Sequence, residues 1–204
     1  MATKQTKLKE HFFKDLAPAL KKELGVGNVW AVPRLSKVVI NVGLGSFLAG
    51  KKDYSQVIDS LASISGQKPV VTKARQAISN FKIKQGQPIG ITVTIRGKRM
   101  YDFIQKLVNI TFPRVRDFRG ISPGGFDGNG NYTVGIKENT VFPEVNPDSI
   151  EKIHGLEVTV VTTAKDDEKG YKLLKALGFP FQEKKEKKEK KEKREKISAG
   201  KEPQ

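Results

Sequence analysis

An α+β domain, with one mostly antiparallel sheet and helices packed on one of its faces, is the architecture this sequence predicts. Helical and strand patterns interleave along the chain. Several of them are joined by short turns, and the strands alternate apolar with short polar residues.

The elements follow in order. Leu8, Phe12, Leu16, Leu20 and Leu24 recur every four residues, which lines one side of a helix ending at Gly25. Pro18 predicts a kink or restart within it, with Asp15 as the cap. A strand, SKVVINVG, comes next. A second helix starts near Asp53, carries Tyr54, Val57, Ile58, Leu61 and Ile64 as one apolar stripe, and stops at Gly66. GITVTIR is a strand, and a third helix turns Met100, Phe103, Ile104 and Leu107 inward and is expected to end before Pro113. Residues 113–131, rich in Gly and Pro, read as a long ordered loop, which at this length is more often functional than filler. YTVGIKE reads as a strand, DSIEKI as a short helix and GLEVTVVTTA as a strand. DDEKGYKLLKALG is a final helix with an acidic first turn and a terminal glycine.

Parity sorts the strands into two faces. Ile89, Ile91, Val93 and Ile95 point toward the helices, and Gly90, Thr92, Thr94 and Arg96 away from them. Val38, Ile40, Val42 and Leu44 oppose Val39, Asn41 and Gly43, while Leu156, Val158 and Val160 oppose Glu157, Thr159, Val161 and Thr163. The uncovered face is thus short, hydroxyl-rich and weakly charged. It suits the wide, shallow minor groove of an RNA helix, with its ribose hydroxyls, and lacks the aromatic residues that sheet readers of single strands use for stacking.

Charge points the same way. The 204 residues carry a net charge of +16, and no carboxylate occurs between Asp59 and Asp102 although the chain has 22 acidic residues. Lys73, Arg75, Lys82 and Lys84 surround a turn-prone centre, and Arg114, Arg116 and Arg119 follow in the long loop. Ordinary surfaces mix signs, so an acid-free basic stretch favours a polyanionic partner. Residues 1–182 form the domain, itself strongly basic. Residues 183–204 form a charged low-complexity tail, expected to be disordered or marginally helical and to attach loosely to a polyanion.

Other chemistries find little support. There is no cysteine, hence no disulfide framework, thiolate metal site or cysteine nucleophile. GLGSFLAG has Leu48 where a dinucleotide fingerprint needs glycine. DGNGNYTVGIKE has Tyr132 where a calcium loop needs glycine, so a tight turn is expected. His11 and His154 lack ligand-spaced neighbours, and no nucleophile–base pattern stands out. No metal, cofactor or membrane span is expected.

Four segments, ISGQKPVVTKARQAISNFKIKQGQPIGITVTIRGKRMYDF, PRVRDFRGISPGGFDGNGNYTVGIKE, FPEV and TTAKDDEKG, closely resemble the bacterial form of universal ribosomal protein five of the large subunit. The resemblance covers nearly all of residues 7–182. It implies a non-enzymatic, cytoplasmic ribosomal protein that binds 5S rRNA and helps attach it to 23S rRNA in the central protuberance. It also implies contact with the peptidyl-site tRNA, and with a small-subunit protein across an intersubunit bridge. On this resemblance Asn41, Gln67, Thr92, Thr94 and Arg96 are the 5S rRNA contacts. Lys73, Ala74, Arg75, Gln76, Ser79 and Asn80 form the tRNA-facing loop, and Arg114 and Arg116 lie at the bridge. Gly124, Gly125 and Asn129 depart from a frequent lysine, serine and arginine, and Gln76 from a frequent lysine. Two rival readings are a general DNA-compacting protein and a nucleotide-using enzyme. The first would bind duplex DNA as well as RNA, and the second would bind a free nucleotide tightly.

Overall fold

The computed structural model of the protein describes residues 8–45, 47, 53–145 and 153–182. Among them, the strands β1 (Leu35–Gly43), β2 (Val70–Lys73), β3 (Pro88–Ile95), β4 (Tyr132–Ile136) and β5 (Leu156–Thr162) form one sheet in the order β2-β3-β1-β5-β4. Every pairing is antiparallel. The sequence reading missed β2. With four residues at a sheet edge and a single half-buried valine, Val71, facing the core, it is too short to leave a periodic signal.

Helices cover one face. Helix α1 comprises Leu8–His11, a π-helical turn Phe12–Leu16 and Ala17–Leu24; α2 is Ser55–Ser65. Helix α3 comprises Gly97–Lys106, a π-helical turn Leu107–Thr111 and Phe112–Arg114; α4 is Asp167–Ala176. Beneath them Val38, Ile40, Val42, Ile91, Val93, Ile95, Val158 and Val160 are at most 2% exposed. Burying each such side chain contributes roughly 1.5–3 kcal/mol, so this layer is the principal reason the sheet holds its shape. Ile89 departs from the expected inward row. It sits at the start of β3 and is 38% exposed.

Two prolines are accommodated by one device. Pro18 and Pro113 each sit in the first two residues of an α-helical segment that follows a five-residue π-helical turn. In each turn the next N–H reaches back five residues, from Ala17 to the Phe12 carbonyl and from Phe112 to the Leu107 carbonyl. A proline ring clashes with the carbonyl four residues back and lacks its own N–H, and the wider turn relieves both problems. Hence α1 continues through Pro18, and α3 runs past Pro113 to Arg114 instead of ending before it. Asp15 is no cap, because its carboxylate lies 2.9 Å from Nδ1 of His11, one turn earlier.

Long-range polar ties set the remaining pieces. Lys106 of α3 donates to the Ile64 carbonyl at the end of α2 (2.7 Å) and pairs with Glu144 (2.6 Å). Gly130 and Gly170 touch backbone to backbone; a Cβ on Gly170 would lie 2.6 Å from the Gly130 carbonyl oxygen. That contact, with the Gly130 N–H donating to Asp167, seats the turn before β4 on the first turns of α4. The Asp127 carboxylate accepts from the Asn129 and Asn131 N–H groups and from the Asn131 side chain, so DGNGN is the expected tight turn. The helix expected at DSIEKI lies mostly outside the described residues, as do all of the tail and half of GLGSFLAG.

Candidate nucleic-acid interface

Strand register assembles the open face row by row. Val70, Thr92, Asn41, Glu157 and Gly135 form one lateral row across all five strands. Thr94, Val39, Thr159 and Thr133 form the next, and Thr72, Gly90 and Gly43 a third. Asn41, Gly43, Glu157 and Gly135 are exposed and the threonines half-buried, as the alternation requires. Asn41, Thr92 and Thr94 are therefore brought together, with Arg96 exposed at the end of β3. Gln67 is exposed just before β2, where Arg99 donates to the neighbouring Gly66 carbonyl.

The face is rigid and unevenly committed. The Thr133 and Thr159 hydroxyls are 3.1 Å apart, and the Thr92 hydroxyl donates to the Ile40 carbonyl at 3.2 Å. Thr94 and Asn41 have no side-chain hydrogen bond among the described residues, which leaves their polar atoms available. Over Gly90 the face is closely packed. A Cβ there would lie 3.0 Å from the Thr72 hydroxyl, 3.2 Å from the Val42 carbonyl and 3.6 Å from Oδ1 of Asn41. Thr72 and Thr133 thus belong to the surface although sequence reasoning did not name them. Their signal is the alternation Val70/Thr72, in the strand the sequence reading missed, and Thr133/Gly135, in the expected strand YTVGIKE, whose two faces it did not sort.

A different surface continues from β2 and β3. Residues 74–87 form an arm beyond the Gly43 and Gly90 end of the sheet, closed at its base by Ala74 and Gln87 and pinched further out by Ile78 and Ile83. Lys73, at the end of β2, is exposed, as are Arg75, Gln76, Ser79, Asn80, Lys82 and Lys84 on the arm. Ala74 is buried and can only position the arm. No carboxylate among the described residues lies within ion-pair distance of Lys73, Arg75, Lys82 or Lys84. Phe81, 72% exposed, marks the tip.

The long loop closes the far edge. Arg114, Arg116 and Arg119 are exposed, and the loop folds back so that Ile121 bridges Phe181. Between it and the outer edge of β4 runs a groove of about 610 Å³, with Arg116, Lys137 and Glu138 among its lining residues. Tyr132 anchors this edge by donating to the Ser122 carbonyl at 2.8 Å, and burial pushes its phenol up to about 12. Gly125 admits no side chain, since a Cβ would overlap the Thr133 carbonyl. Asp127 is held below the usual carboxylate range by the Asn131 side chain and the Asn129 N–H. Among the described residues no cluster of three His, Asp or Glu could hold a metal.

Comparison with known proteins agrees on one family. A model described as "Ribosomal protein L5" matches residues 28–84, and a model of the C-terminus of the same ribosomal protein family matches residues 88–181. The chain is 55% identical over 176 residues to the large ribosomal subunit protein uL5 of Desulfatibacillum aliphaticivorans, covering 86% of this chain and 98% of that one. It is 54% identical over 177 residues to the uL5 protein of Anaeromyxobacter sp. (strain K), covering 87% and 98%. For the uL5 protein of Halothermothrix orenii the identity is 50% over 176 residues, covering 86% and 98%.

Proposed function

We propose, from the premise that this chain belongs to the ribosomal protein L5 family, that its open sheet face binds 5S rRNA and that its basic arm reaches the peptidyl-site tRNA. Membership makes it a structural constituent of the large ribosomal subunit, in the cytoplasm, and not an enzyme. The 5S contacts are Asn41, Gln67, Thr92, Thr94 and Arg96, joined by Thr72 and Thr133. Lys73, Arg75, Gln76, Ser79 and Asn80 face the tRNA, with Ala74 beneath them. Arg114 and Arg116, beside the groove along β4, meet a small-subunit protein. The bound protein helps attach 5S rRNA to 23S rRNA in the central protuberance.

One observation carries this reading. The uncovered face is a hydroxyl-bearing surface without aromatic rings among the described residues, which fits the sugar edge of a double-helical RNA and offers an unpaired base nothing to stack on. Phosphate attraction supplies affinity, and the hydroxyl face supplies recognition of shape and sugar. The test compares 5S rRNA with duplex DNA of equal length across a salt series. The reading expects 5S rRNA to stay bound at salt that releases DNA. Equal affinity throughout would make this a general nucleic-acid binder. Footprints with and without residues 183–204 test the tail, which we assign as an appendage outside the domain; an unchanged sheet footprint is expected.

A further inference from the structure

We infer that Trp30 is a stacking platform for one unpaired RNA base whose phosphate is held by Arg34, at the end of the sheet opposite the arm. This rests on the reading of the protein as RNA-binding. It adds a second mode, since the sheet face itself carries no ring.

Trp30, the sole tryptophan, is 76% exposed, more than any other large apolar residue among those described. Its exposure is built, not frayed. The 3-10 turn Val29–Ala31 is capped by Asn28, whose side chain accepts the Trp30 N–H at 3.0 Å. The Ala31 and Val32 N–H groups are bonded to the Asn28 and Val29 carbonyls, and Val32 and Pro33 are buried behind the turn. A rigid backbone thus holds an indole out in water, where solvation gains the fold nothing.

The surroundings specify the occupant. Trp30, Val29, Phe13 and Arg34 border a hollow of about 210 Å³ floored by Phe12, Ala17 and Val32. That is smaller than the roughly 300–1,000 Å³ of small-molecule pockets. Across Phe13 a second hollow is lined by Lys9, Lys14 and Lys98 against Glu10 and Asp102. No carboxylate occurs from residue 24 to residue 52, and the register places Lys37 and Arg96 at this same end of the sheet. An exposed ring flanked by an excess of cations complements a splayed nucleotide, with its flat base and anionic phosphate. A protein-binding apolar patch would not need that excess.

Because Trp30 is the only tryptophan, its emission reports this site alone. The full chain is titrated at fixed salt with 5S rRNA, 23S rRNA and a short oligouridine. Quenching by at least one of them is expected. For that RNA, Trp30→Ala and Trp30→Leu should weaken binding about tenfold while Trp30→Phe stays within about twofold of the parent. Arg34→Ala should lower the salt slope by about one. If Thr94-dependent 5S binding persists but no RNA quenches Trp30, and Trp30→Ala binds every RNA like the parent, this inference falls and the proposed function stands. If no RNA binds at all, both fall. Quenching that rises with protein concentration alone, with a doubled mass in sedimentation, would assign the patch to a second copy of the chain and overturn the proposal.

Discussion

Thr94 lies on β3 and Lys82 on the arm that joins β2 to β3, yet their surroundings have little in common. Thr94 is half-buried in a face whose rows are fixed by four strand pairings over a close-packed layer. Lys82 lies on an arm held by a few backbone hydrogen bonds, at a positive φ of 55° and without a charge partner among the described residues. A surface that reads shape must not move, and one that supplies charge only needs reach. The packed layer, not the ligand chemistry, therefore decides which part of the molecule can discriminate.

Variants can break that division or sharpen it. Thr94→Glu puts a carboxylate on the open face, and like-charge contact should weaken 5S rRNA binding by about a hundredfold or more. Filter binding checks this, with circular dichroism to show the fold intact; an unchanged affinity would remove the sheet from the interface. Thr94→Val keeps the shape and loses one hydrogen bond, so about fivefold weaker binding with an unaltered salt slope is expected. A changed slope would mean Thr94 acts through phosphates. Lys82→Ala with Lys84→Ala should leave 5S affinity within about twofold, and Lys73→Ala should do the same. On a non-cognate RNA the pair should reduce the salt slope by about two.

The smallest effect on binding serves as the control. Tyr132→Phe lies at the far edge and should change neither mode, while losing the bond to Ser122 costs about 1 kcal/mol. Its pH signature has a definite sign. Burial raises the phenol from 10.0 to about 12, so the stabilisation is present below pH 10 and is lost as pH rises through 12. Denaturant melts of Tyr132→Phe should therefore decline less than the parent's in that alkaline window, the remaining decline coming from groups such as Tyr101, whose phenol burial also raises.

Much of the fold was legible because it depends on local periodicity. The apolar stripe of α2 ends at Gly66, whose φ of 65° suits glycine, and the alternation of β1, β3 and β5 places Asn41, Thr92 and Thr94 on the uncovered side. Where the expectation failed, a non-local contact or an unusual hydrogen-bond register intervened. Pro113 and Pro18 read as breaks, but a π-helical turn before each lets the helix continue. Ile89 has inward parity yet lies at the start of β3 and stays partly exposed. Ala74 sits in a basic run yet is buried, because the base of the arm closes around it. Thr72 went unnamed because a four-residue edge strand carries too few positions to show a period.

Alone, the sequence determined the class of architecture, the two faces of the longer strands and the acid-free basic stretches, since each is a property of residues a few positions apart. Tertiary structure decided that β2 and β4 are the edges, that Thr72 and Asn41 converge over Gly90, and that Trp30 stands clear of the core. These depend on which distant strand becomes a neighbour and on how much room its backbone leaves. Pairing across the sheet sets both, and periodicity along the chain carries no record of either.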